Sequence, residues 1–134
     1  MDVQKDETLE LRQTEDIVRV RQAARAWAVA LGFSLVDQTK IVTATSELAR
    51  NTIEHGRGGS VRMRSLVNGV HKGLRLDFVD TGPGIAHIEL ALRDGYTTGT
   101  GLGLGLSGSR RLMSEFEIKS EVGKGTHVSV TRWT

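Results

Sequence analysis

The chain is 134 residues long, enough for one domain with a real hydrophobic core, and its 18 Lys and Arg against 16 Asp and Glu give a formal net charge of +2. Cysteine is absent, so disulfides and thiolate metal sites are excluded, and no apolar run approaches the length that crosses a membrane. Charges of both signs are interspersed and aromatics are only 4% of residues, which argues for a solvated mixed surface and against a nucleic-acid interface.

In chain order, Met1 to Glu10 is charged and lacks the apolar core of a signal peptide, the pattern expected of a bacterial-type cytoplasmic protein. Residues 1–7 are expected to be a disordered N-terminus, and 8–134 a single domain. Residues 8–13 alternate weakly and predict a short edge strand. From about Glu15 to Leu31 the positions Ile17, Val20, Ala24, Trp27 and Leu31 recur at helical spacing, and Gly32 supplies a stop. Ser34 and Asp37 have the spacing of a capping box and open a second helix running to about His55. Strands are predicted at Ser60 to Val67 and Leu74 to Asp80, joined by a turn at Asn68-Gly69. A short helical piece near Ile88 to Arg93 precedes the small-residue stretch Gly95 to Thr100. A glycine run then leads into a helix ending near Glu115. Strands Phe116 to Val122 and Thr126 to Trp133 close the chain around Gly123-Lys124-Gly125. This order predicts an α+β sandwich, one sheet covered by helices.

Three stretches carry chemistry. Gly101-Leu102-Gly103-Leu104-Gly105-Leu106-Ser107-Gly108 holds glycines that each cost about 1 kcal/mol inside a helix, so it predicts a loop entering a helix N-terminus. Such a junction offers free N–H groups and the positive end of the helix dipole, and a phosphate is the natural guest. On the second helix, Ile41, Val42, Thr45, Leu48, Ala49, Thr52 and Ile53 share one side, and Lys40, Thr43, Glu47, Arg50, Asn51 and Glu54 the other. Alone this is an ordinary amphipathic helix with a wet polar face. Glu47 and Asn51, however, are neighbours one turn apart, and a carboxylate beside an amide oxygen can hold a hard cation such as Mg²⁺ next to a nucleophile.

The third stretch is the strand ending at Asp80. Period two places Leu74, Leu76, Phe78 and Asp80 on one face, so the carboxylate continues a core-facing row and needs a partner. Either it caps the turn Thr81-Gly82-Pro83-Gly84, or it accepts from the exocyclic amino group of adenine, a position where guanine would present a carbonyl. Gly82 and Gly84 would then leave room for the base against the backbone.

Rival motifs fail. Gly103, Gly105 and Gly108 match the dinucleotide G-x-G-x-x-G pattern by count, but that fingerprint needs a strand immediately before it, and residues 95–100 are small and polar. The P-loop, the His-Arg-Asp and Asp-Phe-Gly elements of eukaryotic-type kinases, a Ser-His-Asp grouping and a His-Glu-x-x-His zinc site are all missing.

The order Glu47…Asn51, Asp80-x-Gly82-x-Gly84, Gly101-x-Gly103-x-Gly105 and Gly125-Thr126 resembles the nucleotide boxes of the GHKL ATPase superfamily. The stretches Ser46 to Asn51, Asp80 to Ile85, Asp94 to Thr98, Gly101 to Gly108 with Arg111-Leu112-Met113, and Gly123 to Thr126 are similar to one branch of it. That branch is the bacterial switch-protein serine/threonine kinases of the RsbT type and the related anti-sigma factors. The resemblance runs from about Asp16 to Trp133. It implies the Bergerat fold, a mixed β-sheet covered on one face by helices in two layers, with ATP between them. It further implies that Asn51 ligates Mg²⁺, that Asp80 binds the adenine amino group beside Gly82 and Gly84, and that the backbone of Gly101, Leu102, Gly103, Leu104 and Gly105 holds phosphates. Thr126 would support the adenine side, Glu47 would be the general base, and residues 95–100 would be the ATP lid. Arg50 would either touch the γ-phosphate or stay solvated.

The activity so implied is phosphorylation of a Ser or Thr on STAS-domain antagonist and scaffold proteins of a stressosome-type partner-switching pathway, followed by activation of a downstream PP2C-type phosphatase. The rival reading is an ATP-binding anti-sigma factor that sequesters a sigma factor. Neither membrane nor nucleic acid is expected as a partner.

Overall fold

The computed structural model describes residues 2–93 and 105–134. The chain begins with strand β1 (Asp2–Leu11) and two long helices, α1 (Thr14–Ala30) and α2 (Leu35–Glu54), followed by the hairpin β2 (Gly59–Asn68) and β3 (His71–Asp80). A short helix α3 (Ile88–Ala91), helix α4 (Gly105–Leu112) and the strands β4 (Glu115–Glu121) and β5 (Gly125–Trp133) complete it. The strands form one five-stranded sheet in the order β1-β2-β3-β5-β4.

Every pairing in that sheet is antiparallel, where a mixed sheet was expected. The reason lies in the connections. Two helices in succession carry the chain out and back, so β2 starts beside the end of β1, with Leu11 opposite Gly59. β3 and β4 run in the same direction, but β5 sits between them and pairs with both.

One face of the sheet is apolar. Leu11, Val61, Met63, Leu74, Leu76, Phe78, Val128 and Val130 are buried there against Val20, Ala24, Trp27, Ile41, Leu48 and Ala49 of α1 and α2. Each fully buried leucine or isoleucine contributes roughly 1.5–3 kcal/mol, which is why the 3.6 and 2.0 periodicities specify the two layers. α2 lies at the centre, packed on α1, on α4 and on the sheet.

Two boundaries differ from the sequence expectation. β1 starts at Asp2, so residues 2–7 are strand where disorder was expected. They pair along the edge of β2, Arg62 grips Asp6 through two hydrogen bonds of 3.0 and 2.6 Å, and the Lys5 ammonium lies 4.4 Å from the Trp27 ring centroid. Most of the strand is exposed, so it carries little hydrophobic pattern to announce it. At the second helix the Ser34 hydroxyl accepts from the Asp37 N–H at 3.1 Å, but the Asp37 carboxylate does not return the bond. It binds Arg132 on β5 instead, at 2.9 Å.

Candidate active site

Asp80, the last residue of β3, anchors the site. Its Oδ1 accepts two backbone hydrogen bonds, from Gly82 at 3.0 Å and from Thr126 at 3.2 Å. The capping role is therefore real. It uses one oxygen only, since no hydrogen bond within the described residues engages Oδ2. Thr126 stands opposite Asp80 in the β3–β5 register and shares its face with the buried Val128 and Val130.

The glycines around Asp80 serve close backbone packing. A Cβ on Gly82 would lie 2.6 Å from the Gly56 carbonyl oxygen, and one on Gly84 would lie 2.2 Å from that of Glu121. In the direction a Cβ would take, these residues make room for neighbouring backbone. Gly56 is the piece that the sequence expectation missed. Its own Cβ would fall 2.3 Å from the Asp80 Cγ, and its N–H bonds the Asn51 carbonyl at 3.1 Å. The C-terminal end of α2, Asp80 and the loop at Gly82 thus meet at one residue without a side chain. As one of several glycines closing a helix, Gly56 carried no distinguishing local signal.

On α2, Glu47 is not on a wet face: its side chain is 13% exposed. Arg50 donates to it from Nη1 at 2.7 Å, while the arginine side chain itself is 34% exposed. Asn51 is half-buried, and its side-chain amide makes no hydrogen bond among the described residues. It sits in the last turn of α2, which lacks a basic side chain, where the negative end of the helix dipole favours a cation. No cluster of three or more His, Asp or Glu suited to a metal exists among the described residues. A metal here would draw on an amide oxygen and on ligands brought by the substrate. That donor set suits Mg²⁺, which binds through few protein groups.

Ser120 on β4 is the second residue the sequence expectation missed. Its hydroxyl accepts from the Ile85 N–H at 2.8 Å, donates to the Gly125 carbonyl at 3.1 Å and lies 2.7 Å from the Thr126 hydroxyl. Strand parity was the available signal, since Ser120 extends the row Phe116, Ile118 toward the site as Asp80 extends its own. A cleft of about 640 Å³ opens beside it, lined by Ile85 to Leu90, Arg93 and Ser120. Gly105 begins α4, whereas Gly101 to Leu104 and the expected lid at 95–100 lie outside the described residues.

A model of the histidine kinase-, DNA gyrase B- and HSP90-like ATPases matches residues 36–133, which contain all of these groups. The chain belongs to this ATPase family. Within the family it is 43% identical over 118 residues to serine/threonine-protein kinase RsbT of Bacillus subtilis, covering 88% of this chain and 89% of that one. It is 30% identical over 119 residues to an anti-sigma F factor of a Thermoanaerobacter species, covering 84% and 82%. A crystal structure of RsbU and RsbW domains from Mycobacterium tuberculosis superposes with a TM-score of 0.65 over 96% of this chain and 32% of that one, at 22% identity. The mycobacterial sensor histidine kinase MprB does so at 0.52 over 96% and 97%, at 18% identity. These likenesses make the five-stranded sheet under two long helices the ATPase family's α+β fold, and the chain is an RsbT homologue within it.

Proposed function

We propose that this chain is a protein serine/threonine kinase that moves the γ-phosphoryl group of ATP to a Ser or Thr on a STAS-domain antagonist or scaffold protein. It would do so in the cytoplasm, in a bacterial partner-switching pathway of the stressosome type. The observation that carries this reading is the 43% identity to RsbT across nearly the full length of both chains. A sheltered Glu47 one turn from an Asn51 amide without a hydrogen bond among the described residues, tied through Gly56 to Asp80, supports it.

In this reading Asp80 Oδ2 accepts from the adenine amino group, with Thr126, Gly82 and Gly84 holding the base side. The backbone of Gly101, Leu102, Gly103, Leu104 and Gly105, at the positive end of α4, receives the phosphates. Asn51 holds Mg²⁺, which neutralises charge developing on the phosphates. Phosphoryl transfer depends mainly on positioning and charge stabilisation, with a carboxylate orienting the attacking hydroxyl. Glu47 is that carboxylate, and Arg50 fixes its direction. Incubation with Mg-ATP labelled at the γ-phosphate and a candidate STAS protein tests this. Label on a Ser or Thr of the STAS protein is expected, and its absence across a panel of STAS partners would overturn the reading.

Activation of a PP2C-type phosphatase by direct binding is the further step proposed after release from the STAS scaffold. The second reading, an ATP-binding anti-sigma factor, is favoured by the 30% identity to anti-sigma F factors. Stable capture of a sigma factor in a pull-down, with no label transfer, would select it.

A further inference from the structure

Ser120 joins the loop after β3 to the start of β5. It holds the N–H of Ile85 in the loop after β3, the carbonyl of Gly125 and the hydroxyl of Thr126, at 2.8, 3.1 and 2.7 Å. A serine hydroxyl has one proton to give and two lone pairs to accept with. Ile85 N–H fills one lone pair. If the proton goes to the Gly125 carbonyl, the contact with Thr126 must be donated by Thr126. The Thr126 hydroxyl then spends its own proton on Ser120 and offers only lone pairs elsewhere. Asp80 Oδ2, on the neighbouring strand, is also purely an acceptor.

We propose that Ser120 is a positioning residue for base selection. It fixes the Thr126 hydroxyl as an acceptor, so that with Asp80 the wall presents acceptors alone and favours a purine carrying an amino group at position 6 over one carrying a carbonyl. The inference rests on the nucleotide-site reading above. Ser120 also ties the Pro83–Ile85 segment to the β4–β5 turn, where Gly123 N–H bonds the Pro83 carbonyl at 2.8 Å. Simple loosening of that segment would weaken all nucleotides alike, whereas loss of the hydroxyl's direction changes the preference between bases.

Dissociation constants for ATP and inosine triphosphate, measured by calorimetry on the full chain, separate these effects. Wild type must first bind ATP; failure there would overturn the site reading itself, before any variant is made. Ser120→Ala is expected to lower the ATP-over-inosine preference about tenfold, a single well-directed hydrogen bond of about 1.4 kcal/mol. An unchanged preference, or an equal loss for both nucleotides, would overturn the proposal. Ser120→Thr keeps the hydroxyl and should keep the preference. Ser120→Cys keeps the size without a strong acceptor or donor and should repeat the loss, so this pair decides the matter even where the alanine variant does not fold.

Discussion

Asp77 shows how much a single buried carboxylate can organise. It is 5% exposed on the face of the sheet opposite the helices, and it takes Arg64 at 2.7 Å, Arg75 at 3.1 and 3.2 Å, His127 at 3.0 Å, and a close contact from Ser129. Serine, histidine and aspartate meet here, yet both oxygen partners face the same ring nitrogen, Nε2, so no nucleophilic relay exists. Burial alone would push the Asp77 carboxyl up, but hydrogen bonds from Arg75, Ser129, Arg64 and His127 outweigh it and hold the group well below the usual carboxylate range. A depressed folded-state value stabilises the protein above the unfolded value of about 4 and loses that contribution as pH falls below it. Melting temperatures between pH 2 and 7 should therefore drop for wild type below about pH 4. Asp77→Asn should melt lower at pH 7, by roughly 1–3 kcal/mol given its partly exposed partners, with a flatter acid limb. Gly56→Ala should cost about 1–3 kcal/mol by forcing a methyl group into the Asp80 carboxylate, and urea titration would measure it. Asp80→Asn removes a charged acceptor and should weaken ATP binding about 10- to 100-fold in calorimetry while leaving the fold in place.

At the scale of elements, α2 decides the architecture. Its apolar side packs on the sheet and α1, its C-terminal half carries Glu47 and Asn51, and its N-terminal turn is pinned by Arg132. That arginine also donates to the Leu112 carbonyl at the end of α4 at 3.0 Å, so one side chain ties α2, α4 and β5 together. Arg132→Ala should lower stability by about 1–3 kcal/mol, and a double-mutant cycle with Asp37→Ala should show coupling; additivity would deny the tie. Thr45, in the middle of α2, is 1% exposed and its hydroxyl has no hydrogen-bond partner among the described residues. Thr45→Val should be neutral or stabilising by up to about 1 kcal/mol in urea denaturation. These elements were largely legible in the sequence, because burial on one face imposes its period on the residues. β1 was legible only in part, because an exposed edge strand shows no such period. The Asp37–Arg132 pair joins residues 95 positions apart, a contact that no local pattern encodes.

For the whole molecule, the site is a product of topology. An antiparallel sheet whose β3 ends where β5 begins sets Asp80 against Thr126, and the return of α2 to the same edge brings Asn51 to them through Gly56. Asp80, Thr126, Glu47 and Asn51 could be singled out from strand parity, helix spacing and the resemblance they carry. Gly56 could not, because its importance comes from close contact with Asp80, and strand parity places Ser120 on the right face without revealing its three partners. The roles proposed for Asp80 and Glu47 are separable: Asp80 would hold the base and Glu47 would orient the attacking hydroxyl. Glu47→Gln with Mg-ATP and a STAS partner tests this most directly, with ATP affinity and label transfer measured on the same preparation. Affinity within about threefold of wild type with transfer reduced roughly 100- to 10,000-fold is the expected result. Transfer persisting at the wild-type rate in Glu47→Gln would contradict the account.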